Sequence, residues 1–104
     1  MADQIHLQIV TPSAIVADEA VRYVRLPLEG GSIGVLRGHA PLLGAVTGGV
    51  LKYARADADY YVAVSDGVVH VASDEITVLV HAAVCADSAE TARDTARQMK
   101  NERK

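Results

Sequence analysis

The chain has no phenylalanine, no tryptophan and a single cysteine, Cys85. Without large aromatic rings the core must be filled by smaller branched side chains, and fifteen valines supply them. Such residues pack best on a pleated surface, so the composition points to strands. A lone cysteine excludes an internal disulfide and a cysteine-based zinc site, and it fits a reducing compartment. No apolar run approaches the ~20 residues that a membrane helix needs. No basic segment followed by an apolar run opens the chain, so nothing there has the form of a signal or transit peptide. An excess of one charge is missing too: ten Lys and Arg stand against thirteen Asp and Glu, a net charge of −3. The basic residues gather only near the C-terminus, which leaves no phosphate-neutralising footprint of a nucleic-acid binder. The 104 residues have room for one core.

What is present is alternation. Ile5, Leu7 and Ile9 alternate with His6, Gln8 and Val10, which predicts a half-buried strand ending at Thr11-Pro12, with a short return through Ile15 and Val16. Residues 19–28 predict another strand, with Val24, Leu26 and Leu28 on one face and Arg25 on the other. Pro27 has no N–H to give to a ladder, so that strand is expected to end there or to lie at an edge. Turn residues then recur at Gly48-Gly49, at 57–59, at Asp66-Gly67 and at Asp74-Glu75, and they bracket expected strands at 50–55, 60–65, 68–72 and 76–81. Ser65-Asp66-Gly67 is expected to close a hairpin through a type I′ turn, because Asp-Gly accepts the positive φ angles. Each such strand has one apolar face to bury, so the fold class is mainly β, an antiparallel two-layer sandwich.

The period changes near the end. Asp87 as a cap, Glu90 reaching back to it, and Ala89, Ala92, Ala96 and Met99 at helical spacing predict one short C-terminal helix over residues 88–102. Arg97, Lys100, Arg103 and Lys104 suit the negative end of its dipole. The expected division is a sandwich over residues 1–85 and a helix over 86–104.

Residues 30–43 stand apart. Four glycines, a proline and His39 punctuate the aliphatic residues, so the backbone must turn sharply while Ile33, Val35, Leu36, Leu42 and Leu43 are fed into the core. His39 then sits on an exposed turn, as an orienting or interface residue rather than a catalyst. Gly30-Gly31-Ser32-Ile33-Gly34 matches the Gly-x-Ser-x-Gly pattern of a hydrolase nucleophile, but that elbow needs a strand running into a helix, and strands and turns follow here. His6, His39, His70 and His81 lack the spacing of a local metal site. No Lys, Arg or His adjoins Cys85 to activate its thiol. No catalytic residue, metal site or cofactor is expected.

Gly31-Ser32-Ile33-Gly34-Val35-Leu36-Arg37-Gly38-His39-Ala40-Pro41-Leu42 resembles the signature of the epsilon subunit family of F-type ATP synthases, called delta in mitochondria. The opening strand from His6 to Thr11, the segment Val64-Ser65-Asp66-Gly67-Val68 and the strand Ile76-Thr77-Val78-Leu79-Val80 resemble that family in the same order. The resemblance implies a sandwich of about ten strands in a non-catalytic rotor subunit, which joins the gamma shaft to the c ring and couples ion translocation to ATP synthesis. It implies gamma contacts at Thr11, His39, Ala40 and Leu42, c-ring contacts at Glu29, Gly30, Gly31 and Ser32, and the beta subunit as a further partner. Many relatives carry a glutamate where Ser32 stands, and Glu29 serves instead. Of the family's nucleotide motif only Arg93 matches, and with one short helix little autoinhibition is expected. The implied location is peripheral, on the cytoplasmic side of the bacterial inner membrane. Two rival readings are a free-standing β-sandwich interaction module and a small histidine-metal β-barrel enzyme.

Overall fold

The structure, a computed structural model, describes residues 4–55 and 58–102. Ten strands precede one helix: β1 Ile5–Thr11, β2 Ala14–Val21, β3 Tyr23–Leu28, β4 Gly31–Val35, β5 Leu42–Val46, β6 Gly49–Ala54, β7 Asp59–Val64, β8 Gly67–Ala72, β9 Glu75–Val80, β10 Ala83–Ala86 and α1 Ala89–Glu102. The hydrogen-bonded order is β10-β7-β6-β3-β5-β8-β9-β1-β2, with β4 also on β3. The single pair Leu28↔Val46 joins β3 to β5, so the sheet divides there into two layers, β2-β1-β9-β8-β5 and β4-β3-β6-β7-β10. Their inner faces enclose the expected side chains Ile5, Leu7, Ile9, Val24 and Leu26, together with Val78, all at most 1% exposed. All ladders are antiparallel except β1 on β9, which runs parallel.

Several expectations are corrected. Residues 19–28 form parts of two strands, because the chain breaks at Arg22 and changes layer. Of the two alternatives for Pro27, the strand end holds to within one residue, since β3 stops at Leu28, and the edge does not: β3 carries β4 on one side, and on the other β6 pairs with residues 23–25 before β5 takes over at Leu28. Pro27 falls in that gap between partners, where its missing N–H leaves no ladder bond open, and its carbonyl accepts from Thr47 N at 3.0 Å. The expected turn at 57–59 falls partly on residues outside those described. The helix cap is Ser88 rather than Asp87, since Ser88 Oγ accepts from Thr91 N at 3.2 Å. Among the described side chains of α1, Ala92 and Ala96 are buried, and the helix packs on β6, β7 and β10.

Ser65-Asp66-Gly67 is not a hairpin. β7 pairs with β6 and β10 whereas β8 pairs with β5 and β9, so these residues are the corner at which the chain crosses between layers. Neither Asp66 nor Gly67 has a positive φ; Ser73 at 51° and Asp74 at 63° do, and the type I′ turn is theirs, between Ala72 and Glu75. Gly67 has a different reason to be glycine. An added Cβ would overlap the Leu79 carbonyl oxygen and stand 2.8 Å from Val80 Cα. Ser65 Oγ accepts from Ala82 N at 2.9 Å and Asp66 Oδ1 from Gly48 N at 2.8 Å, which fixes the corner from both sides.

The edge strand β2 is tied to β6 across the gap between layers. Tyr53 on β6, 3% exposed, donates its hydroxyl to Glu19 Oε2 on β2 at 3.0 Å. Glu19 Oε1 also pairs with Arg55 at 2.6 Å, and the Tyr53 ring stacks on Tyr60 at 5.1 Å. Burial first, then the hydrogen bond to Glu19 and its charge, push the Tyr53 hydroxyl well above the ordinary tyrosine range. A phenol held neutral in the fold but free to ionise when unfolded stabilises the fold fully below its unfolded pKa of about 10. That contribution is lost as pH rises further. Stability measured by denaturant midpoint is therefore expected to fall above about pH 10, and Tyr53→Phe should lessen that fall at a cost of about 1 kcal/mol at neutral pH. An identical alkaline slope in both proteins would assign it to other groups.

Candidate functional surfaces

Residues 36–41 leave β4 and return as β5. The loop is held from inside by His39 and from outside by the hairpin between β8 and β9. His39 N donates to Leu36 O at 3.1 Å, and Nδ1 lies 2.6 Å from the Ala40 carbonyl oxygen. A carbonyl can only accept, so Nδ1 is the donor of this bond. Asp74 accepts from Gly38 N at 2.8 Å and pairs loosely with Arg37 Nε at 3.7 Å. Asp74 thus fixes the loop from 36 residues away in sequence, a role that a turn signal alone does not reveal. His39 and Leu42 are half-buried and Ala40 is exposed. Leu36 and Leu43, expected in the core, are 60% and 76% exposed.

Thr11 lies at the other end of the same layer. Its hydroxyl donates to Ala14 O at 3.2 Å, and it lines a cleft of about 410 Å³ with Pro12, Leu79, Val80 and His81. Register places Leu42 opposite Val71, Val71 opposite Ile76 and Ile76 opposite Leu7, four residues short of Thr11 on β1. Thr11 and the His39 loop are therefore not one cluster. A face spans the distance between them. In one row across five strands stand Ile15, Val10, Leu79, Val68 and Ala45, each the register partner of the next. In the next row Leu43 faces His70. Ile15 is 60%, Leu79 48% and Val68 46% exposed. Adjacent apolar exposures of this extent on an otherwise alternating sheet mark a surface that expects a partner. The signal for it was in the sequence as doublets, Ile9-Val10, Leu42-Leu43, Val68-Val69 and Val78-Leu79, which break strict alternation by making both faces of a strand apolar.

Glu29 and Gly30 form the two-residue turn between β3 and β4, closed by Leu28↔Gly31. Gly30 has a φ of 93°, as the second central residue of a type II turn requires. Ser32 Oγ accepts from Arg25 Nε at 3.3 Å, and Arg25 Nη1 lies 3.3 Å from the Tyr23 hydroxyl. The four residues Glu29, Gly30, Gly31 and Ser32 are exposed together. Arg93 is exposed on α1 and borders a cleft of about 390 Å³ with Gly48, Gly49, Val50, Ala96 and Arg97. His6 pairs with Asp18, His70 and His81 are exposed elsewhere, and among the described residues no three His, Cys, Asp or Glu gather as a metal site. Cys85 is exposed on β10. No helix among the described residues is long and apolar enough to cross a membrane.

Comparison with known proteins gives a consistent answer. The family described as "ATP synthase, Delta/Epsilon chain, beta-sandwich domain" matches residues 4–86. An ATP synthase epsilon chain of Lawsonia intracellularis is 38% identical over 93 residues, which cover 89% of this chain and 70% of the relative. One from Nitratidesulfovibrio vulgaris is 39% identical over 103 residues, 94% of this chain and 77% of the relative. Among solved structures, a chain of the Euglena gracilis mitochondrial ATP synthase superposes with a TM-score of 0.76 at 21% identity, covering 96% of this chain and 64% of that one. A chain of the Tetrahymena thermophila mitochondrial ATP synthase central stalk and c ring gives 0.66 at 12% identity, covering 91% and 89%.

Proposed function

The chain belongs to the ATP synthase delta/epsilon family as an epsilon subunit, and from that premise we propose that it is a non-catalytic part of the rotor, which joins the gamma shaft to the c ring and passes on the torque that couples ion translocation to ATP synthesis. The observation that carries this reading is the apolar row from Ile15 to Ala45, which crosses the sheet at a level between Thr11 and the His39 loop. A rigid sheet presenting a continuous apolar strip docks with little ordering entropy, which suits a permanent joint under load. Gamma covers this face, including Thr11, His39, Ala40 and Leu42. The turn at Glu29, Gly30, Gly31 and Ser32 meets the c ring, the beta subunit is a further neighbour, and the complex stands on the cytoplasmic side of the bacterial inner membrane. The binding surfaces belong to residues 1–85.

In this reading the helix brakes hydrolysis little: among its described side chains the buried anchors are two alanines, Ala92 and Ala96, which hold it to the sheet through a small apolar area. Arg93 contributes an exposed cation without the rest of a nucleotide motif. The test is co-purification of tagged chain with gamma and c subunits, followed by ATP hydrolysis of the reconstituted complex with the chain intact or ended at Ala86. Retention of both partners and similar rates are expected. Failure to retain either subunit would overturn the rotor assignment, and several-fold faster hydrolysis after shortening would show that the helix inhibits.

A further inference from the structure

The charge on this protein is unevenly placed. Arg22 is the residue at which the chain passes from β2 to β3; its N–H donates to Ala54 O at 2.8 Å, and its exposed side chain leaves the sheet edge. It lines a cleft of about 420 Å³ together with Tyr23, Leu36, Arg37 and Ala54. Two guanidinium groups thus share one concavity, and among the described residues lining it none is acidic. Arg22 has no ion pair among the described residues. Arg37 is held in place without being used up: its pair with Asp74 runs through Nε at 3.7 Å, and Asp74 Oδ1 is already taken by Gly38 N. The Nη donors of Arg37 remain open, and a loose, half-exposed pair of this kind neutralises little. The rest of the wall is a phenol ring and the aliphatic side chain of Leu36, 60% exposed and without a packing role in the core.

A single arginine fork matches carboxylate and phosphate alike, but two guanidinium groups together suit the higher charge and three acceptor oxygens of a phosphomonoester. A cleft of this size is within the range of small-ligand sites. We propose that it binds a phosphomonoester, with the phosphate oxygens accepting from Arg22 and Arg37 and the organic body lying on Tyr23 and Leu36. Nothing in this inference depends on the rotor reading. The phosphate can come from a soluble compound or from a lipid headgroup, and the two sources are separable.

The experiment uses the full chain, labelled with nitrogen-15, and follows amide shifts during titration with inorganic phosphate, with glycerol 3-phosphate and with sodium chloride at matched ionic strength. In parallel, the protein is sedimented with vesicles of phosphatidylcholine alone or with an equal part of phosphatidic acid. For a soluble source, glycerol 3-phosphate should shift residues 22–23, 36–37 and 54 more strongly than inorganic phosphate does. For a lipid source, sedimentation with the phosphatidic acid vesicles should occur instead. Either result should weaken about tenfold in Arg22→Gln or Arg37→Gln, and not in Lys52→Gln, which removes the same charge outside the cleft. Shifts equal to those with chloride, or equal losses in all three variants, would mean only a general ionic atmosphere and would overturn the site. So would the absence of both responses.

Discussion

Replacing Gly67 with alanine is expected to destabilise the fold by about 3 kcal/mol or more and to lower Tm by upwards of about 12 °C. The cause is space rather than conformation. Gly67 begins β8 between Val46 of β5 and Val80 of β9, and its Cα passes so close to β9 that any side chain overlaps the Leu79 carbonyl oxygen and approaches Val80 Cα to 2.8 Å. Those are backbone atoms at the end of the β8–β9 ladder, so relief requires the two strand ends to separate. The neighbouring hydrogen bonds, Asp66 Oδ1 with Gly48 N and Ser65 Oγ with Ala82 N, would have to shift with them. Gly30 provides the comparison. Its φ of 93° disfavours alanine, but nothing lies within 4 Å of an added Cβ, so Gly30→Ala should cost only about 1 kcal/mol. Thermal melts of both variants check this. Equal effects, or a loss of less than about 3 °C for Gly67→Ala, would show that the corner relaxes freely.

Leu79→Glu is expected to weaken gamma binding roughly thirtyfold or more while leaving the isolated domain folded. Leu79 lies at the centre of the apolar row, between Val10 and Val68, and is 48% exposed. The substitution therefore removes limited packing from the free protein, but in a joint it buries an unpaired carboxylate, whose desolvation costs far more than a lost methyl contact. His39→Glu at the rim should weaken binding less, because its ring is already engaged by Ala40 O and a rim carboxylate keeps its water. Pull-down with purified gamma, alongside melting of the free variants, separates the two outcomes. Unchanged binding by folded Leu79→Glu would remove this face from the interface. A melt lowered as far as that of Gly67→Ala would show that Leu79 belongs to the core.

How much of this could be read from the chain depends on the range of the signal. Period-two alternation is a local property, and it identified the inward residues of β1 and β3 because each strand must bury one face whatever its neighbours are. The helix followed from local spacing in the same way, with the cap displaced by one residue because Ser88 and Asp87 offer similar oxygens. Family membership was legible from the glycine-rich signature and its order in the chain. The partners of each strand were not legible. The Asp66-Gly67 pair has the composition of a tight hairpin, yet it turns between layers. The reason lies in β5 and β9: they occupy both flanks of β8 and leave no edge for β7. Ser73-Asp74, with poorer turn chemistry, forms the type I′ turn because its strands do pair.

The surfaces divide along the same line. Residues 29–32 and 36–41 could be named from the sequence because their glycines and His39 announce turns. Asp74 as the anchor of the His39 loop, Arg22 and Arg37 in one cleft, and the row from Ile15 to Ala45 were decided by tertiary structure alone. Each depends on register between strands far apart in the chain, here including the parallel pair β1 and β9. The sequence by itself determined the inward sets of β1 and β3, whereas Leu36 and Leu43, equally apolar, turned out to face water. Which side chains stand together on the outside was settled only when the two layers closed, since that closure sets every long-range register at once.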